Sequence, residues 1–113
     1  MQPIFYMLIL YIRIMYLYNI TIITESDLAA EVSNRIKLLQ TQYAKSDPFL
    51  PLNFLKMLDS PHEGVTFCLQ LLVSTRDEIS QFQANHLVDW QQQLAQTYPG
   101  KVMYFDSTME YIK

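Results

Sequence analysis

Apolar and polar residues alternate with a period of two in some stretches of this chain and recur with a helical period in others. Over Tyr16–Thr24, Tyr16, Tyr18, Ile20 and Ile22 share one face, and Leu17, Asn19, Thr21 and Ile23 share the other. That alternation predicts a strand with two different environments. Residues 65–74 repeat it more cleanly, with Val65, Phe67, Leu69, Leu71 and Val73 set against Thr66, Cys68, Gln70 and Leu72. Residues 52–59 and 101–108 read as further strands. Between them, Leu28, Val32, Ile36, Leu39 and Tyr43 return every three or four positions and predict a helix over 27–45. Ile79, Phe82, His86, Trp90 and Leu94 do the same over 76–97.

The punctuation agrees with this division. Thr24 or Ser26 can cap the first helix, with Asp27 favoured in its first turn. Ser74 or Thr75 can cap the second, followed by Asp77 and Glu78. Pro48 and Pro51 end the first helix and bracket Phe49 and Leu50, and Pro99-Gly100 ends the second. The 60–64 segment, Ser-Pro-His-Glu-Gly, has turn chemistry. The resulting order, β-α-β-β-α-β, predicts an α+β, ferredoxin-like fold: a four-stranded antiparallel sheet with two helices on one face. The large apolar positions belong under the helices. The opposite face carries Asn19, Thr21, Thr66, Cys68 and Gln70, edged by Leu17, Ile23 and Leu72. A half-polar face with an apolar rim suits two sheets that meet around a cavity.

Composition sharpens this picture. Charged residues make up 17% of the 113, below the roughly 25% usual in soluble domains. The deficit points to surface covered by another chain, most simply a second copy, and a homodimer is expected. The net charge is −3, and the basic residues are scattered from Arg13 to Lys113, which argues against binding to nucleic acid. The one cysteine, Cys68, rules out an internal disulfide and a thiolate-built metal site and is compatible with a cytoplasmic location. With only Gly64 and Gly100 as glycines, no phosphate-cradling loop is available. No cofactor is implied.

The first residues stand apart. From Pro3 to Ile23 the chain is nearly all apolar, close to the ~20 residues that span a bilayer. Arg13 in its middle, Asn19 and Thr21, and the richness in Ile and Tyr argue against a membrane span. No basic start or small-residue cleavage pattern marks a signal peptide. Residues 1–14 are therefore read as an apolar extension or an early gene start before a single domain over 15–113. The alternatives are an element packed on that domain and a membrane anchor.

Several segments resemble the bacterial domain-of-unknown-function family 4286. They are Tyr18-Asn19-Ile20-Thr21 after Met15, Leu55-Lys56-Met57-Leu58, and Glu63-Gly64-Val65-Thr66-Phe67 with Gln70. His86, Gly100-Lys101-Val102, Phe105 and Met109-Glu110 also fit. The family's first helix usually carries tryptophans and runs into a His-Ile-Pro segment, and this chain has neither. The resemblance implies the dimeric α/β-barrel superfamily, in which two ferredoxin-like protomers pair through their sheets. That superfamily includes cofactor-free monooxygenases, small-molecule isomerases, haem-degrading enzymes and proteins without known activity.

Candidate chemistry is sparse. His86 is the candidate catalytic base, since imidazole suits proton transfer near neutral pH; its alternative role is a helix-boundary hydrogen bond. Asn19, Thr21, Thr66 and Gln70, with Trp90 as a wall, are the candidate ligand-binding residues, and their alternatives are cross-strand hydrogen bonding and, for Trp90, core filling. Asp59, His62 and Glu63 share a turn better read as solvated than as a metal site. Two functions remain open. One is a small dimerising domain that holds an apolar molecule between sheet and partner. The other is a cofactor-independent enzyme with His86 as base and Asn19 orienting the substrate.

Overall fold

The computed structural model describes residues 15–46, 52–61 and 63–112. The expectations for residues 1–14, for the Pro48–Pro51 loop and for His62 lie outside the described residues. Four strands form one antiparallel sheet: β1 (Tyr16–Thr24), β2 (Leu52–Lys56), β3 (Val65–Val73) and β4 (Val102–Glu110), in the order β2-β3-β1-β4. α1 (Ala29–Ser46) follows β1 after a short 3-10 turn (Ser26–Leu28), and α2 (Arg76–Phe82), a π-helical segment (Gln83–Leu87) and α3 (Val88–Thr97) join β3 to β4. This is the ferredoxin-like fold that the order of patterns predicted. The element ends moved by one to three residues, most at β2, which stops at Lys56 rather than at Asp59.

β1 and β3 are paired one to one along their whole length, from Tyr16 opposite Val73 to Thr24 opposite Val65. Register and alternation together put Tyr18, Ile20 and Ile22 beside Leu71, Leu69 and Phe67, all buried. Val32, Ile36, Leu39 and Tyr43 of α1 pack onto this face, as do Ile79, Phe82, Leu87, Trp90 and Leu94 of the second helical stretch. Both helices thus cover the same face. The Trp90 Nε1–H donates to the Arg35 carbonyl (3.1 Å), and the Gln40 side chain donates to the Leu52 carbonyl (2.6 Å). These bonds fix the helices to each other and α1 to the sheet edge.

The second helix is capped as its sequence suggests. The Thr75 hydroxyl accepts from the Glu78 N–H (3.4 Å), and the Glu78 carboxylate reaches back to the Ser74 N–H and hydroxyl. Its interior departs from the expected period. A uniform 3.6-residue repeat placed His86 on the inward stripe, whereas the structure buries Leu87 there and leaves His86 half-buried at the side. The cause is the π segment: the Val88 N–H bonds to the Gln83 carbonyl, five residues back, so one extra residue is accommodated and the face advances by one position. Deleting Ala84, exposed in this segment, should return it to α-helical spacing while Phe82 and Trp90 keep their places. The shortened chain is expected to melt within a few degrees of the parent or above it. A drop beyond ~8 °C in a thermal unfolding scan, more than about 1 kcal/mol for a domain this size, would contradict this account.

Candidate functional site

The open face of the sheet collects most of the candidate ligand residues. Across the sheet, register aligns Asn53, Gln70, Asn19 and Ser107 into one polar row. The Gln70 side-chain amide donates to Asn19 Oδ1 (3.1 Å), and Asn19 Nδ2 donates to the Thr21 hydroxyl (3.1 Å). The rows on either side are apolar in character: Leu72, Leu17 and Met109 on one, Leu55, Cys68, Thr21 and Phe105 on the other. Large apolar side chains stand exposed on this face at both sheet edges, Leu55 on β2 and Met103 (55% exposed), Phe105 (52%) and Met109 on β4. Met57, just past β2, is exposed as well.

Two candidates do not join this group. Thr66 lies on the same face but is buried, with the Ser60 hydroxyl 2.9 Å from its own. Trp90 lies on the other side of the sheet, buried among core residues with its ring edge-on to Tyr104. It closes the core and holds α1. Cys68 sits half-buried next to Thr21 on the open face.

His86 also belongs to the helical side. Its ring meets Tyr43 edge-on at 5.2 Å and lies tilted against Phe82 at 5.9 Å. It lines an open groove of about 390 Å³ between the end of α1 and α2, with Ser46, Glu78, Gln81 and Asn85. Glu78 is committed there to the helix cap. A smaller hollow of about 190 Å³ on the other side of His86 is bordered by Trp90, Arg35, Gln42 and Asp89. Asn19 and His86 are separated by the sheet, because Asn19 alternates with Tyr18 and Ile20, which face the helices. No single site in one protomer holds both. Among the described residues, no three of His, Cys, Asp and Glu converge to hold a metal ion, and no helix is long and apolar enough to cross a membrane.

A third polar group escaped the sequence reading. The Tyr18 hydroxyl donates to Asp106 Oδ2 (2.7 Å) and accepts from Gln83 Nε2 (3.0 Å), which links β1, β4 and the π segment. Only the acid at a helix-facing position of β4 hinted at it. Burial pushes the Tyr18 hydroxyl up to about 12, helped by its bond to Asp106 and opposed by that to Gln83. Burial alone pushes Tyr104 up to about 12, and its hydroxyl has no hydrogen-bond partner among the described residues.

Residues 15–112 match the family described as Domain of unknown function (DUF4286), and the chain belongs to that family. No curated protein matches it. Solved structures share its fold. One is described as a "Putative antibiotic biosynthesis monooxygenase from Nitrosomonas europaea" (16% identity, covering 87% of this chain and 92% of that one, TM-score 0.63). Another is a conserved protein of unknown function from Bacteroides thetaiotaomicron (9%, 88% and 99%, TM-score 0.66). A third is a dimeric protein of unknown function and ferredoxin-like fold from Bacteroides fragilis (14%, 85% and 96%, TM-score 0.60).

The two raised tyrosines set an alkaline limit. An unfolded tyrosine loses its proton near pH 10 and these two, when folded, near 12. Their contribution is therefore complete below pH 10 and is lost as pH rises through about 12. Phenolate absorbance should show Tyr18 and Tyr104 titrating late, and the melting temperature should fall steeply above pH 10. Tyr104→Phe should remove one late titration and raise stability by about 1 kcal/mol, since it deletes an unpaired buried hydroxyl. A variant less stable than the parent would show that the hydroxyl has a partner.

Proposed function

We propose that this domain works as a homodimer joined through its open sheet face. The observation that carries this reading is the set of exposed apolar side chains at both edges of that face, Leu55 and Met57 on one side and Met103, Phe105 and Met109 on the other. Exposed apolar residues gathered on one surface mark an interaction site. Three nine-residue strands about 30 Å long and the five-residue β2, about 17 Å, spaced about 4.8 Å apart present roughly 510 Å² in projection, short of the ~800 Å² per partner of a standard interface and extended by the side chains at its edges. The low charge content supports the reading, as does the dimeric neighbour of the same fold. Asn19, Thr21 and Gln70 are also grouped closely enough to meet one small molecule held between the sheets.

The competing reading is a cofactor-independent enzyme with His86 as base. The groove beside His86 and the neighbour described as a monooxygenase favour it. The form in which Asn19 orients the substrate is disfavoured, since the sheet lies between the two side chains. Sedimentation at micromolar concentration tests the dimer. The wild type is expected to sediment as a dimer and Phe105→Lys as a folded monomer. Reaction of Cys68 with a maleimide should slow as protein concentration rises. A monomer at all concentrations would refute the proposal.

We further propose that the folding unit starts at Met15. Its side chain is buried and its carbonyl accepts from the Tyr111 N–H (3.1 Å), so pairing with the end of β4 already begins there. A chain starting at Met15 should melt at the same temperature as the full chain or higher. A loss of several degrees would place the start of the domain earlier.

A further inference from the structure

We propose that the linked polar groups Gln70, Asn19 and Thr21 are a register device for the dimer: Thr21 of each protomer faces the partner's Gln70 across a two-fold axis passing beside Asn19. This rests on the homodimer reading and specifies how the two copies are aligned.

The argument starts from the linkage Gln70–Asn19–Thr21. Such a chain has a direction. In this orientation the Thr21 hydroxyl proton is left to donate at one end, and at the other Gln70 keeps Oε1 to accept and its second N–H to donate. If both amides are turned over, the roles of the ends exchange. Either way one end offers what the other needs. A two-fold interface brings each residue i against j and each j against i. Placed about Asn19, it sets the donor end of one copy against the acceptor end of the other, at both ends together.

The surroundings make other alignments costly. The flanking rows hold Leu17, Leu72 and Met109 on one side and Leu55, Cys68, Thr21 and Phe105 on the other. A slip toward the Leu17 row would press the amides against apolar side chains and leave them unpaired, and a slip the other way would leave them only Thr21 among Leu55, Cys68 and Phe105. A buried amide without a partner is penalised more than a formed hydrogen bond is rewarded. The same logic lets one buried asparagine choose the register of a coiled coil, at some expense in affinity. Apolar side chains at the edges supply attraction without direction, and the central row supplies direction.

Sedimentation equilibrium of the full chain tests this with Thr21→Val, Gln70→Met and the two combined. Each single change should weaken dimerisation about tenfold, because it strands the partner's group. The combined variant should dimerise no more weakly than the worse single. Thr21→Ser, which keeps the hydroxyl, should dimerise like the wild type. Circular dichroism at low concentration checks that each variant is folded. Single variants whose dimer constant is unchanged or tighter, or effects that simply add, would overturn the alignment, whether the row instead serves a small molecule or bonds only within its own chain. In that case Phe105→Lys would still break the dimer, and the homodimer reading would stand. A wild type that is monomeric throughout would overturn both.

Discussion

Nine consecutive residues of β1 face nine of β3 without a bulge, and a slip of one position would turn every side chain of one strand to the wrong face. Tyr18, Ile20 and Ile22 would then meet solvent, and Asn19 and Thr21 would enter the core. The rest of the molecule depends on this register. It provides the apolar floor on which both helices pack. It also lines up Asn53, Gln70, Asn19 and Ser107 across strands that are far apart in the chain. Gly64 helps to hold one end of the pairing. Its φ of +83° and the closeness of the Thr24 carbonyl leave no room for a Cβ.

The helical layer meets this floor with one irregularity. A uniform helix from Arg76 to Thr97 cannot bury Phe82, Leu87, Trp90 and Leu94 on one stripe, because Phe82 and Leu87 are five residues apart. The π segment absorbs the mismatch and has two chemical consequences. Gln83 is held where its amide reaches the Tyr18 hydroxyl. His86 leaves the core for the rim of a groove, in ring contact with Tyr43 and Phe82. A π segment often accompanies function, and His86 in its groove is the feature on which an enzymatic reading of this fold depends.

The two faces of the sheet follow different rules. On the helix side the polar groups are few, and Tyr18 is satisfied by long-range bonds to Asp106 and Gln83. On the open side Gln70, Asn19 and Thr21 are bonded in a short chain, and apolar side chains stand exposed at both edges. A surface of that kind is unfavourable in water, and a second copy would relieve the exposure while giving the unfilled ends of the amide line their partners. The family assignment and the neighbours agree on the fold and leave the chemistry of this face to be read from its own residues.

Much of the fold was legible in the sequence. Period-two alternation marked β1 and β3, proline and glycine marked the ends of helices, and the sorting of Tyr18 and Ile20 from Asn19 and Thr21 marked the two faces. These are local signals carried by neighbouring residues. The inward stripe of the second helix was misread at His86, because a π segment has no clear signature in residue spacing. The bond from Tyr18 to Asp106 joins residues 88 apart, and the polar row gains Asn53 and Ser107 only through strand register. Of Thr66 and Trp90, Ser60 folds onto the first, and the second gives its N–H to the Arg35 carbonyl while its ring borders the hollow beside His86. The sequence by itself determined which elements form and which face of each is apolar, because those depend on periodicity. Tertiary structure decided which polar atoms meet, because that depends on the register of distant strands and on one extra residue in a helical turn.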